Sequence, residues 1–159
     1  MEYQISLQSP LGILILKSDG VSVNEICFSG HDIEKHVPCQ VLLDCKDQLE
    51  DYFAGKLLNF NLPLHPEGTE FQIRVWAELM KIPYGETITY LELAERLGDP
   101  KAVRAVGTAN GRNPIAIVIP CHRVIGAANK LTGYAGGLWR KQWLLAHEIM
   151  HNPSKQTLF

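Results

Sequence analysis

The sequence predicts an α/β chain of the α+β kind: a small antiparallel sheet with a helix first, then a mostly helical half holding a helix-turn-helix. Three observations predict it. Short apolar runs separated by turn residues fill the first 28 positions, helix-start signals follow after residue 68, and His65-Pro66-Glu67-Gly68 divides the two regimes as a linker. A chain of 159 residues with 46% hydrophobic content holds one large domain or two small ones. The linker sets the expected domains at residues 1–66 and 67–159.

Taken in order, Tyr3, Ile5 and Leu7 alternate onto one face of a first strand, and Pro10–Gly12 marks a turn. Leu11–Leu16 is a second apolar run, Asp19-Gly20 a hairpin signal and Val21–Phe28 a third strand, which together make a β-meander. Residues 31–38 are polar and close at Pro38. Val41–Phe53 has Leu42, Cys45, Leu49 and Phe53 at helical spacing with Gly55 as a stop, and Leu57–Leu64 reads as one more strand. Past the linker, Thr69-Glu70-Phe71-Gln72 is a capping box, opening a helix that runs to Ile82 before Pro83. Thr89-Tyr90-Leu91-Glu92 is a second box, and its helix stops at Gly98. Asp99 is an N-cap with Pro100 at the first helical position of a helix ending at Asn110.

Two helices joined so tightly make a helix-turn-helix. In its second helix Ala102 or Val103, Val106 and Ala109 face inward, while Lys101, Arg104 and Thr108 share the other side. The outward groups are small apart from Arg104, so a groove wall can approach the backbone closely. The uncharged run Ile115–Ile119 reads as a fully buried strand that stops at Pro120. A glycine-punctuated loop, Gly126–Gly137, surrounds Tyr134, and Leu138–Glu148 is a last helix. The tail, Asn152–Phe159, is expected to be weakly ordered.

Charge is unevenly spread. Residues 1–70 carry four basic and eleven acidic side chains, whereas residues 71–159 carry eleven and six. From Arg96 to Lys141 the only acid is Asp99. Such a stretch suits a polyanion surface, or the solvated face of a two-lobed protein. No apolar run approaches the roughly 18–20 residues of a membrane span. The start MEYQISLQSP has neither a basic nor a long apolar region, so no secretion signal is expected. A cytoplasmic, reducing location follows, in which Cys27, Cys39, Cys45 and Cys121 are free thiols.

Cys121 stands out because a buried run delivers it beside His122 and Arg123. Cations lower a thiol pKa, and the thiolate is the nucleophile. The competing reading is an ordinary buried cysteine. Asn113 precedes Pro114, where an Asn side chain commonly bonds nearby backbone. Glu148 sits at a helix C-terminus, an unfavourable place for a negative charge unless it has a partner.

With these residues in view the chain resembles the O6-alkylguanine-DNA alkyltransferases, also called methylated-DNA–protein-cysteine methyltransferases. The resemblance rests on Pro120-Cys121-His122-Arg123-Val124, with Tyr84-Gly85-Glu86, Thr89-Tyr90, Lys101–Gly107, Asn113-Pro114, Tyr134–Leu138 and Leu144–Glu148 matching in order. It covers roughly residues 69–149, and the N-terminal part agrees only in length and in its β-then-helix pattern.

The resemblance implies a ribonuclease H-like N-terminal domain and a winged-helix-like C-terminal domain. It implies that the partner is double-stranded DNA carrying O6-alkylguanine, with O4-alkylthymine a lesser substrate, approached through the minor groove with the damaged base flipped out. DNA contacts fall on Lys101, Ala102, Arg104, Ala105, Thr108, Ala109, Arg112 and Arg123, with Arg104 filling the gap left by the base. Cys121 is the nucleophile and alkyl acceptor, His122 takes the thiol proton through a water, and Glu148 orients the imidazole. Tyr90 offers its hydroxyl to guanine N3, and Asn113 holds the Cys121 turn. Val124, Ala135 and Tyr134 form the substrate pocket, together with Ala116, which stands where some members have a second proline. That smaller side chain implies room for larger alkyl groups. The thioether product has no route back, so each molecule acts once, with no cofactor and no obligate protein partner.

Some relatives hold zinc in the N-terminal domain; here Cys27, His31, His36 and Cys39 depart from the tight spacing of structural sites, and no metal is expected. Two other functions compete. Alkyltransferase-like lesion sensors lack the cysteine, which Cys121 argues against. A cysteine hydrolase built on Cys121, His122 and Glu148 would leave the helix-turn-helix unexplained.

Overall fold

The computed structural model describes residues 2–153. Of the tail expected to be weakly ordered, residues 154–159 lie outside the described residues. The chain divides into two compact units, Met1–Glu67 with Pro114–Val118, and Gly68–Asn113 with Ile119–Phe159. The segment 114–118, read from sequence as part of the C-terminal half, thus belongs with the N-terminal unit.

In the N-terminal unit β1 (Tyr3–Ser9), β2 (Gly12–Ser18) and β3 (Val23–Ser29) form the antiparallel meander in the order β1-β2-β3. Register pairs Ile5 with Leu16 and Leu7 with Leu14, which puts these four on one face, all buried. Helix α1 (Gln40–Phe53) supplies the other layer through Val41, Leu42, Cys45, Leu49 and Tyr52. Tyr52 rather than the expected Phe53 completes the inner stripe: it is fully buried and Phe53 only half so.

Both sheet edges are covered. Gln4 and Val37 exchange N–H···O bonds of 2.9 and 2.8 Å beside β1. On the β3 edge Val23 bridges Leu64 and Ile26 bridges Ile115. Edges so blunted do not template aggregation. Leu57–Leu64 is therefore not the strand the sequence suggested, but a connection with one bridge, and Pro63 has no N–H to extend a ladder.

The run Ile115–Ile119 is also not a strand. Ile26 N–H donates to the Pro114 carbonyl at 2.9 Å and Ala116 N–H to the Ile26 carbonyl at 3.0 Å, after which the chain turns. Val118 N–H reaches back to the Ala116 carbonyl at 2.8 Å across Ile117, whose φ is +72°. That is a γ-turn of the strained hand, on a β-branched residue that rarely adopts positive φ. Burial of Ile115, Ile117, Val118 and Ile119 holds it. Continuous apolarity reported burial correctly and conformation wrongly.

In the second unit α2 (Glu70–Leu79) starts on the complete Thr69–Gln72 capping box. It ends before Ile82 because the last turn tightens to i→i+3 bonds, Lys81 N–H to Glu78 and Ile82 N–H to Leu79. A two-residue strand β4 (Ile88–Thr89) leads into α3 (Tyr90–Arg96), where the Thr89 side chain accepts from Glu92 N–H. Gly98, at φ +83°, reverses the chain. Asp99 caps a 3₁₀ turn at Pro100–Ala102 that runs into α4 (Val103–Gly111). β5 (Val124–Ile125) pairs in parallel with β4, and α5 (Leu138–Met150) closes the unit. Trp76, Leu79, Leu93, Val106, Val124 and Leu144 lie in its core.

Among the described residues no helix is long and apolar enough to cross a membrane. No three His, Cys, Asp or Glu side chains there gather as a metal site. All four cysteines are free.

Candidate active site

The site begins at Pro120. Its φ of −81° and ψ of 62°, with Cys121 N–H donating to the Ile119 carbonyl at 2.8 Å, form an inverse γ-turn. Proline's fixed φ suits that turn. Cys121–Arg123 then make one 3₁₀ turn, and all three side chains are buried.

Glu148 on α5 gathers two of them. Its Oε2 lies 2.7 Å from His122 Nε2. Its two oxygens also accept from Arg123, Oε1 from Nε at 2.8 Å and Oε2 from Nη2 at 3.1 Å. Gly85 N–H donates to Oε1 at 3.2 Å. Gly85 has φ +78°, and a Cβ there would run into the Asn152 side-chain amide, so glycine is required on both counts. Arg123 is completed by donating Nη1–H to the Ile82 carbonyl at 2.7 Å. Arg123 was expected on the DNA face; it is buried because it neutralises the one carboxylate of the site.

Protonation follows from this wiring. Burial alone would raise the Glu148 pKa, but His122 and Arg123 hold it well below the usual carboxylate range. Burial pushes the His122 pKa down, against the pull of Glu148. His122 is thus neutral at rest. An ionised carboxylate only accepts, so the imidazole gives Glu148 its Nε2–H and keeps the lone pair on Nδ1. Nδ1 is buried and has no hydrogen-bond partner among the described residues.

Cys121 is a thiol at rest. Burial raises its pKa, and an Asn113 side-chain hydrogen bond and the Lys141 charge only partly offset that. Adjacent His122 and Arg123 do not produce the standing thiolate that the sequence suggested, because both are turned to Glu148. The Cys121 backbone is pinned instead: Asn113 Nδ2–H donates to the Ile119 carbonyl at 2.8 Å, and Asn110 Nδ2–H to the Cys121 carbonyl at 3.3 Å.

Of the residues expected to form the substrate pocket, Val124 is fully buried in β5, Tyr134 is half-buried, and Ala135 is exposed. Burial raises the Tyr134 pKa well above its ordinary value, and Cys121 adds to this. Tyr90 at the start of α3 donates its hydroxyl to the Thr132 carbonyl at 3.3 Å. Ala116 lies in the turn of the N-terminal unit. On α4 and its flanks Lys101, Arg104, Ala105, Thr108 and Arg112 are exposed and Ala102 half-buried. Ala109, expected at the DNA face, is buried, and its carbonyl accepts from Trp76 Nε1–H at 2.9 Å.

Sequence reasoning missed Asn110 and Lys141. Lys141 is fully buried and donates to the Thr132 and Gly133 carbonyls at 2.8 and 3.3 Å. The signal was there: Lys141 shares a helix face with Leu144 and Glu148, at i, i+3 and i+7.

The comparisons with known proteins agree over both units. Residues 70–150 match the DNA binding domain of 6-O-methylguanine DNA methyltransferase, and residues 3–66 its ribonuclease-like domain. The methylated-DNA–protein-cysteine methyltransferase of Methanosarcina acetivorans is 49% identical over 152 residues, 92% of this chain and 97% of that one. The protein of that name from Mycolicibacterium paratuberculosis is 63% identical over 113 residues, 71% of this chain and 68% of its own. The crystal structure of Mycobacterium tuberculosis O6-methylguanine methyltransferase superposes with a TM-score of 0.88 at 45% identity, covering 100% of this chain and 99% of that one. A second structure of the Mycobacterium tuberculosis protein, in complex with DNA, gives 0.84 at 47% identity over 97% of each chain. The mixed α/β fold with its N-terminal meander is shared with these structures, and this chain belongs to the 6-O-methylguanine DNA methyltransferase family.

Proposed function

We propose that the protein repairs DNA by moving the alkyl group of O6-alkylguanine onto its own Cys121, once per molecule. The observation that carries this is the buried histidine: His122 is fixed by Glu148 at 2.7 Å through Nε2 and keeps a basic Nδ1 with no hydrogen-bond partner among the described residues, next in sequence to a buried thiol. That is a base with an orienting carboxylate, serving a nucleophile that is not ionised at rest.

His122 takes the Cys121 thiol proton through solvent at Nδ1. The thiolate attacks the alkyl carbon, the S–C bond forms and the C–O6 bond breaks. The electron pair goes to guanine, a poor leaving group until protonated; Tyr90 gives its hydroxyl proton to guanine N3, and the phenolate left behind is reprotonated through solvent as His122 releases the thiol proton. To do so its hydroxyl exchanges the Thr132 carbonyl for the base. Glu148 carries the imidazolium charge, with Arg123 preventing excess negative charge in the buried site. A duplex hides the O6 substituent, so the base is flipped into the pocket, and exposed Arg104 occupies its place. Small Ala105 and Thr108 beside it let α4 approach closely, while Lys101 and Arg112 supply phosphate contacts.

Mass spectrometry after mixing with a duplex holding one O6-methylguanine tests this. One methyl on the Cys121 peptide, stoichiometric with restored guanine and absent in Cys121→Ala, is expected. Tight lesion binding without a mass change would mean a sensor instead.

The DNA face is tested separately. Arg104→Ala is expected to slow transfer from duplex DNA about tenfold or more, because stabilisation of the flipped state is lost. Its reaction with free O6-benzylguanine should stay within about twofold, since no stack has to be opened. Equal losses on both substrates would place Arg104 in the chemistry rather than in flipping.

A further inference from the structure

Two buried acceptors belong to the peptide that joins Cys121 to His122, and the reaction above uses only one of them. His122 Nδ1 is the first. The second is Asn110 Oδ1, likewise buried and with no hydrogen-bond partner among the described residues. Asn110 is 4% exposed and lies on the inward side of α4 with Val106 and Ala109, away from exposed Arg104 and Thr108. Its Nδ2–H donates at 3.3 Å to the Cys121 carbonyl, whose carbon is bonded to the His122 nitrogen. Its backbone carbonyl accepts from Asn113 N–H at 3.4 Å, so the residue is held at main chain and side chain alike.

A buried amide oxygen without a donor is unfavourable, and a leucine would fill the same space without one. An amide oxygen and an imidazole lone pair are both acceptors, so they cannot satisfy each other. Both are served by a donor with two hydrogens. A buried water is such a donor, and it makes about three hydrogen bonds where polar groups converge. With one hydrogen on Nδ1 and the other on Oδ1, its lone pairs are left for the Cys121 S–H.

We infer, on the reading that His122 deprotonates Cys121 for alkyl transfer, that Asn110 is a positioning residue whose Oδ1 orients the water through which the thiol proton reaches His122 Nδ1. Held by both acceptors, the water can present only a lone pair to sulfur. The thiol gives its proton to the water oxygen while the water passes one of its own hydrogens to Nδ1. Thiolate, water and imidazolium result, and Glu148 holds the imidazolium. A water held by Nδ1 alone turns a hydrogen toward sulfur as readily as a lone pair, and in that orientation it accepts no proton.

The test measures how much His122 matters in each Asn110 background. Iodoacetamide alkylation of the full-length protein at pH 7.5, read on the Cys121 peptide by mass spectrometry, needs neither DNA nor a flipped base. Asn110→Leu keeps the shape and removes both amide functions. Asn110→Asp keeps an acceptor oxygen and loses the donor to the Cys121 carbonyl. Asn110→Val makes the removal should the leucine variant not fold, and thermal unfolding confirms that folded proteins are compared. Asn110→Leu is expected to react about tenfold more slowly than the wild type. Adding His122→Ala to it should then slow the reaction by a factor about tenfold smaller than in the wild type, because both residues act through one water. In Asn110→Asp, His122→Ala should keep its wild-type effect within about threefold. An equal effect of His122→Ala in the wild type and in Asn110→Leu would overturn the inference. So would an effect reduced alike in Asn110→Leu and Asn110→Asp, which would place the role of Asn110 in its bond to the Cys121 carbonyl. The expected coupling in a protein that leaves O6-methylguanine duplexes unrepaired would uphold the inference while sinking the repair reading.

Discussion

Glu148→Ala is expected to lower stability by about 3–5 kcal/mol, because it leaves the Arg123 guanidinium buried without its counter-charge. Arg123 and Glu148 side chains are 8% and 1% exposed, so water cannot take over. The same substitution removes the partners of His122 Nε2 and Gly85 N–H. The urea midpoint at pH 7.5 measures it, and a loss below about 1 kcal/mol would mean that Arg123 finds water or another acceptor. Acid separates the contributions. Glu148 has a folded pKa below its unfolded value of 4.5, so its stabilisation is complete above that value and is lost as pH falls through the lower folded one. His122 has a folded pKa below 6.5, so the unfolded chain takes up its proton first and stability declines from pH 6.5 downward. The wild type should therefore weaken below pH 6.5 and again below 4.5, and the second decline should be smaller in Glu148→Ala, where other carboxylates such as Asp19 and Asp32 still contribute.

His122→Ala is expected to slow single-turnover alkyl transfer about 10²–10⁴-fold, the usual worth of a positioned general base. Lesion-duplex affinity should change less than about threefold, since the His122 side chain is fully buried. Transfer by the wild type should persist down to about pH 6.5 and fall only below it, because the base works while neutral and burial holds its pKa low. The variant should lose that acid limb. A variant that keeps both its rate and its pH profile would assign deprotonation elsewhere.

Much of this protein was legible from local chemistry. The capping box at Thr69, the side-chain caps at Thr89 and Asp99 and the turn at Gly98 are decided within four or five residues, and the structure places the helices where those signals stand; at Thr89 only half of the expected box forms, because Glu92 accepts from the Thr89 hydroxyl. The β-meander followed from alternation and from Asp19-Gly20. Cys121 and Glu148 stood out by their local settings, His122 and Asn113 were singled out by the resemblance, and His122 pairs with Glu148 while Asn113 bonds beside Cys121.

What failed depended on partners remote in sequence. Ile115–Ile119 and Leu57–Leu64 have strand-like apolarity, but a strand needs a neighbour with free donors, and each found a single bridge on the β3 edge. The placement of a charge was equally non-local. Arg123 reads as a surface cation beside a catalytic cysteine until Glu148, 25 residues later, draws it inside. Lys141 reads as one more basic residue until the fold seats it under the 132–133 carbonyls. By itself the sequence determined which segments are helices, because caps, turns and periodicity act over one or two turns of chain. Only the tertiary structure decided which cation each anion meets and therefore which atom of His122 is basic and that Cys121 rests as a thiol, because burial and charge pairing are set by residues that the chain brings together from far apart.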